Sequence, residues 1–496
     1  MPFVSTRGTE QISAPEAIVR GIAPDGGLYV PLKLPKLSRE DFDALAQMDY
    51  PARAAYTLDA VLDGFTLEEL LPMAKDAYAR FDDPAVAPIR ELKDGRSVLE
   101  LFHGPTLAFK DMALQFLPRL LTASAFKRGE SKEIAILTAT SGDTGKAALE
   151  GFKDVKGTSV TVFYPLGGVS AVQEKQMVTS EGKNVHVIAV KGNFDDAQTG
   201  VKTLFGDPAF QRKMDALGKT LSSANSINLG RLAPQVAYYL SACAELLRRG
   251  KIAWETGLNV CVPTGNFGNI LAAWYARRMG APIKKLICAS NRNDVLTDFI
   301  NTGVYDRRRE FHKTISPSMD ILISSNLERF LWELAEGDPA AVRGWMDQLK
   351  RDGAYEISGR QKEMLKDAFY GGFADDAATR KTIRDIWETE QYLTDPHTGV
   401  AMRVAQDYRD KTGDQTPLLI VSTASPYKFA ADVAEAIGAE VKGDAFAAAA
   451  ALEKKTGVKA PAAVLALKDM PVLHTLVCDK ERMGEAVLAG FDGQQA

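Results

Sequence analysis

Lys110 closes the run Phe102-His103-Gly104-Pro105-Thr106-Leu107-Ala108-Phe109-Lys110-Asp111, which passes from an expected strand through a Gly-Pro turn into an expected helix. An amine at a helix start, with Phe109 and Met112 beside it, meets positive backbone potential and apolar neighbours. Both disfavour its charged form and make its lone pair available as a nucleophile. The same residue also reads as an ordinary solvated lysine, and local context alone favours that description.

Three further junctions share the strand-to-loop-to-helix form. Thr138-Ala139-Thr140-Ser141-Gly142-Asp143-Thr144-Gly145-Lys146 combines small residues, hydroxyls and free N–H groups suited to a carboxylate or phosphate. It lacks P-loop spacing, and a plain helix cap explains it equally well. Val262-Pro263-Thr264-Gly265-Asn266-Phe267-Gly268-Asn269 is the best phosphate cradle in the chain. Its two glycines permit tight curvature, and amides at a helix start hold a dianion without a lysine. Ser422-Thr423-Ala424-Ser425-Pro426 is built in the same way. Open α/β sheets bind ligands at such carboxyl ends.

The elements that must position these loops alternate. Apolar, β-rich runs at Ser97 to Phe102, Glu133 to Thr140, Ser159 to Phe163, Val185 to Val190, Leu258 to Val262, Lys285 to Ala289 and Pro417 to Ser422 are each followed by a turn or an amphipathic stretch. This is the pattern of an α/β fold with largely parallel sheets, enough for two open sheets. Residues 1 to about 90 read as a separate, mostly helical unit, and Leu327 to about Arg409 as helices on a sheet edge. The alanine-rich Ala445 to Ala451 is expected to be helical.

At 496 residues, two or three domains are expected. The net charge of -4 is spread without a like-charged block, which supports neither nucleic-acid nor membrane binding. Cys243, Cys261, Cys288 and Cys478 show no CxxC pair and no metal-ligand spacing with the five histidines, so no metal is expected. With neither a secretory signal nor a stretch of about twenty apolar residues, a cytoplasmic location is the expectation.

Gly104-Pro105-Thr106-Leu107-Ala108-Phe109-Lys110-Asp111 resembles the cofactor-lysine motif of threonine synthases, within the tryptophan-synthase-β-like group of pyridoxal-phosphate enzymes. The likeness runs from Val4-Ser5-Thr6-Arg7-Gly8 through Ala23-Pro24-Asp25-Gly26-Gly27-Leu28-Tyr29-Val30-Pro31 to the segment around Thr423. It implies two open, mostly parallel sheet domains with flanking helices and the cofactor between them, plus an N-terminal mainly helical domain. The expected boundaries are 1–92 for the N-terminal domain, 133–250 for the small domain, and 93–132 with 251–496 for the large one.

The resemblance also implies roles. Lys110 forms a Schiff base with pyridoxal 5'-phosphate and then carries protons in the conversion of O-phospho-L-homoserine and water to L-threonine and phosphate, the last step of threonine biosynthesis. Gly265, Asn266, Phe267, Gly268 and Asn269 resemble the loop holding the cofactor phosphate, and Thr423 the hydroxyl at the pyridine nitrogen. A hydroxyl there makes the ring a weaker electron sink than a carboxylate does. Ser141, Gly142, Asp143 and Thr144 are similar to the turn receiving the substrate carboxylate, with Asp143 near the cofactor's 3-hydroxyl side. Asn225, Ser226 and Arg231, in Ser223-Ala224-Asn225-Ser226-Ile227-Asn228-Leu229-Gly230-Arg231, correspond to the substrate-phosphate group; from the residues alone they equally cap a helix beside a solvated arginine.

His103 reads as a packing residue of the lysine loop, His397 as a turn residue without a catalytic role, and Asp195 with Asp196 as a helix start. Two rivals fit the same scaffold: a dehydratase or phospho-lyase releasing a keto acid, and a non-catalytic phosphate-ligand binder.

Overall fold

The computed structural model describes residues 2–140 and 142–492, apart from the side chains of Asp195, Ala445 and Asp492. Two sheets dominate these residues. The larger runs, edge to edge, through Phe369–Phe373, Ile283–Ser290, Leu258–Pro263, Leu418–Ser422, Ser97–Glu100 and Ile89–Glu91, and only the last pairing is antiparallel. The smaller is wholly parallel: Leu476–Asp479, Val185–Lys191, Thr158–Pro165, Glu133–Ala139 and Lys219–Ser222.

Helices cover both faces, so the central strands are buried along their whole length and mostly apolar instead of alternating between buried and exposed positions. Leu258–Pro263, Leu418–Ser422 and Thr158–Pro165 are buried at every position. That is why they stand out in the sequence. Three strands were less visible there: Lys219–Ser222 is largely polar, Phe369–Phe373 carries two glycines, and Leu476–Asp479 is an exposed edge.

The last of these corrects the expected domain limits. Because Leu476–Asp479 pairs with Val185–Lys191, the end of the chain belongs to the smaller sheet and not to the larger one with the rest of 251–496. The helix Leu229–Arg248, expected in the small domain, instead packs on Tyr50–Val61 and Gly268–Arg278.

The N-terminal region contains the helices Ala14–Arg20, Arg39–Gln47, Tyr50–Val61 and Leu67–Tyr78. Each has a Ser, Thr or Asp cap accepting from the first turn, worth about 1 kcal/mol apiece. It also holds a small antiparallel sheet of Gln11–Ile12, Phe3–Ser5 and Tyr29–Pro31. It is not a free-standing unit. One continuous apolar core joins Phe3, Leu58, Tyr239, Leu271 and Val421, and a bidentate pair from Arg7 to Glu328 at 2.8 and 2.7 Å fastens its front to the helix Leu327–Leu334.

Candidate active site

Lys110 sits on a loop folded around a buried acid. Asp111 accepts from the Thr106 N–H and hydroxyl, both at 2.8 Å, and from Gln115 Nε2 at 3.2 Å. Burial outweighs these bonds and raises its pKa to about 6. A Cβ on Gly104 would lie 2.5 Å from that of Asp111, so only glycine lets the turn close. The loop then runs alongside the end of Leu418–Ser422: Phe109 N–H donates to Thr423 O at 2.8 Å, and Ser425 N–H to Leu107 O at 3.0 Å. The motif lysine and Thr423 are therefore held together by backbone bonds.

The Lys110 amine faces the turn after Glu133–Ala139. Its Nζ lies 3.4 Å from Ser318 Oγ and 3.8 Å from Asp143 Oδ2. Burial lowers its pKa to about 8, with Lys428 and Arg231 acting in the same direction and Asp143 against them. The sequence suggested a helix terminus as the cause, but the helix that follows, Asp111–Leu114, is a single turn. Desolvation and neighbouring cations do the lowering.

Asp143 is itself buried, and its carboxylate is occupied. It accepts from Lys428 Nζ at 2.7 Å and from Gln173 Nε2 at 3.1 Å, with Ser318 Oγ 3.4 Å away. Burial opposes its ionisation, but Lys428 and Lys110 overcome that and hold its pKa below the usual carboxylate range. Ser318 is placed by His397: the Ser318 N–H donates to His397 Nε2 at 3.1 Å, so Nδ1 carries the ring proton and donates it to Asp395 at 2.8 Å.

On the opposite wall, Leu258–Pro263 ends in the loop 264–267, where Phe267 adopts φ +62° and the helix Gly268–Arg278 starts without a side-chain cap. Gly265 passes so close to the 316–319 segment that a Cβ would stand 2.6 Å from Ser318 O. Asn269 Oδ1 accepts from Tyr238 and Tyr239, each at 2.6 Å, which leaves its buried Nδ2 without a partner. Asn326 Nδ2, 3.4 Å from where a Gly268 Cβ would lie, is likewise buried and unpaired.

Two buried arginines hold the last side. Arg231, at the start of Leu229–Arg248, donates from Nη1 to Ala224 O at 2.6 Å, while its Nε has no partner and burial lowers its pKa to about 10. Arg329 donates to Tyr29 O at 2.9 Å, to Asn326 Oδ1 and to Ile227 O at 2.5 Å. It thereby links the N-terminal sheet to the loops carrying Asn326 and Asn225.

Residues 2–78 match the family model "Threonine synthase N terminus", 98–348 "Pyridoxal-phosphate dependent enzyme", and 398–470 "Threonine synthase, C-terminal". The threonine synthase of Pseudomonas aeruginosa is 38% identical over 431 residues, 86% of this chain and 89% of that one. The chain belongs to the threonine synthase family. The crystal structure of pyridoxal-phosphate-bound threonine synthase from Brucella melitensis superposes with a TM-score of 0.87 at 38% identity, covering 99% of both chains. Threonine synthase-like 1 of Pongo abelii is 41% identical over 455 residues; the match takes in 88% of this chain and 60% of that protein's length.

The family's cofactor is pyridoxal phosphate, and the residues present fit it. A phosphate dianion needs donors, and the uncapped start at Gly268 with the unpaired amides of Asn269 and Asn326 provides them. Lys110 presents an amine of lowered pKa, and Thr423 lies at the neighbouring strand end. Of the residues expected at the substrate carboxylate, Ser141 lies outside the described residues. Gly142 spends its N–H on Thr140 Oγ1 at 2.9 Å, and Thr144 is half-buried. Asp143 departs from that expectation because its carboxylate serves the lysines. Asn225 Oδ1 accepts from the Thr138 hydroxyl at 2.8 Å, and Ser226 is half-buried beside it in the loop.

Lys428, Ser318, His397, Asn326 and Arg329 were not legible as site residues. A lysine and an arginine set in apolar runs, Pro426-Tyr427-Lys428-Phe429 and Leu327-Glu328-Arg329-Phe330, were the available signal for two of them. Nothing marked Ser318.

Proposed function

We propose that this chain converts O-phospho-L-homoserine and water to L-threonine and phosphate, with Lys110 as the reactive amine and proton carrier. The observation that carries the reading is Arg231. It is a buried guanidinium with an unpaired Nε, and its charge reaches Lys110. A buried cation without a carboxylate is costly unless an anion completes it, and a leaving phosphate does so. An enzyme acting on an unphosphorylated hydroxy-amino acid has no need of it.

Pyridoxal phosphate, when bound, supplies the conjugated acceptor that weakens the bonds at the substrate α carbon. Gly265, Asn266, Phe267, Gly268 and Asn269 would hold its phosphate, and the Thr423 hydroxyl would meet the ring nitrogen. Thr144, with Ser141 and Gly142, would orient the substrate carboxylate, and Asn225, Ser226 and Arg231 its phosphate.

Lys110 takes a proton from the α carbon and then from the β carbon as the Cγ–O bond breaks and phosphate departs to Arg231. It returns one proton to the γ carbon and another to the α carbon, while water gives its hydroxyl to the β carbon and its remaining proton to the departed phosphate, which is released as hydrogen phosphate. With a pKa near 8, about one amine in ten is neutral at pH 7, against about one in three thousand for an ordinary lysine. That fraction lets one group act as both base and acid.

The reaction is tested in ¹⁸O-water. Elimination leaves every phosphate oxygen unlabelled and places one label on the threonine β-hydroxyl. Label in the phosphate would mean attack at phosphorus and would defeat the reading.

A further inference from the structure

The site contains one fully buried lysine, a second that is mostly covered, and one carboxylate between them. Lys428 has no exposed side-chain surface; its Nζ lies 2.7 Å from Asp143 Oδ1 and 2.9 Å from Thr106 O. Lys110, 13% exposed, stands 3.8 Å from the other carboxylate oxygen and 3.4 Å from a hydroxyl. We propose that Lys428 is the positioning residue that decides which amine reacts: by taking Asp143 for itself it leaves Lys110 as the lysine that gives up its proton.

The argument is one of charge and contact. A buried site sustains ammonium groups only where carboxylates and carbonyls solvate them. Asp143 offers one full charge, and Lys428 takes it at contact distance together with a carbonyl. The ionisable groups facing Lys110 are Asp143 from the helix Asp143–Phe152, Lys428 from the turn after Leu418–Ser422, Arg231 from Leu229–Arg248, and the adjoining Asp111. Asp111 is engaged by Thr106 and Gln115, and Asp143, 3.8 Å from Lys110, makes its shorter contacts to Lys428 and Gln173. Lys428 also reaches across the cleft, since Asp143 follows a strand of the smaller sheet and Lys428 one of the larger. The pair thus aligns the two walls on either side of Lys110.

This inference rests on Lys110 being the reactive amine, but its test does not require threonine formation, so either can fail alone. The full chain, freed of cofactor, is acylated with acetic anhydride across pH 6 to 10, and labelling of Lys110 is followed by peptide mass spectrometry. For Lys428→Met, Asp143 turns to Lys110 and the labelling midpoint moves up by about one unit or more, so that labelling at pH 7 falls about tenfold. Lys428→Arg restores the wild-type midpoint, which a merely space-filling lysine would not require. Should Lys428→Met fail to fold, the double variant Asp143→Asn/Lys428→Met removes both charges, and its midpoint stays at or below that of the wild type. An unchanged midpoint in Lys428→Met, or a raised one in the double variant, overturns the proposal.

Discussion

Replacing Lys110 should make the cofactor-free protein more stable, and the gain should depend on pH in a defined direction. Burial, aided by Lys428 and Arg231, lowers Lys110 from 10.5 to about 8. Between these values the unfolded chain binds a proton that the folded chain does not, so stability rises with pH through that window. Below pH 8 the folded protein bears the full penalty, on the order of 3 kcal/mol at ~1.4 kcal/mol per unit. Lys110→Met fills the space without the charge. Asp143 keeps its 2.7 Å contact with Lys428, so no carboxylate is stranded. Urea unfolding of the cofactor-free chain should therefore show the variant about 3 kcal/mol more stable at pH 7, with the advantage below about 1 kcal/mol at pH 10. A variant no more stable than wild type at pH 7, or an advantage equal at both pH values, would refute the reasoning. A trade of stability for reactivity is the direction expected of a lysine in the proposed role.

Other substitutions probe the walls. Gly265→Ala sets a Cβ 2.6 Å from Ser318 O and should cost about 1–3 kcal/mol in urea unfolding. Gly268→Ala meets nothing nearer than Asn326 Nδ2 at 3.4 Å, so it should change stability by less than about 1 kcal/mol while weakening cofactor binding in an absorbance titration. Arg329→Met strands the acceptors of Tyr29, Asn326 and Ile227 and should lower stability by at least about 2 kcal/mol. Arg231→Gln should leave the cofactor absorbance unchanged and reduce kcat/KM for O-phospho-L-homoserine about a hundredfold.

The strands that carry the site were legible because burial on both faces writes them as largely apolar runs. Leu258–Pro263 and Leu418–Ser422 differ from the runs read in the sequence by one residue at an end. The loops at their carboxyl ends followed from the same logic, which is how the segments holding Gly265 to Asn269 and Thr423 were singled out. What escaped was whatever depends on a distant partner. Lys428 belongs to the site because Asp143, far away in sequence, turns toward it, and Ser318 because Gly265 makes room for it. The solvated reading of Arg231 failed for the same reason: the residues that bury it come from other segments. The apparent independence of the N-terminal region likewise ended at Arg7 and Tyr29, whose partners lie on the helix Leu327–Leu334.

The most direct test is a product balance. The full chain with pyridoxal phosphate and O-phospho-L-homoserine should release phosphate and L-threonine in equal amounts, and Lys110→Ala should release neither. Phosphate accompanied by 2-oxobutyrate and ammonia without threonine, or undiminished turnover in Lys110→Ala, would contradict the account.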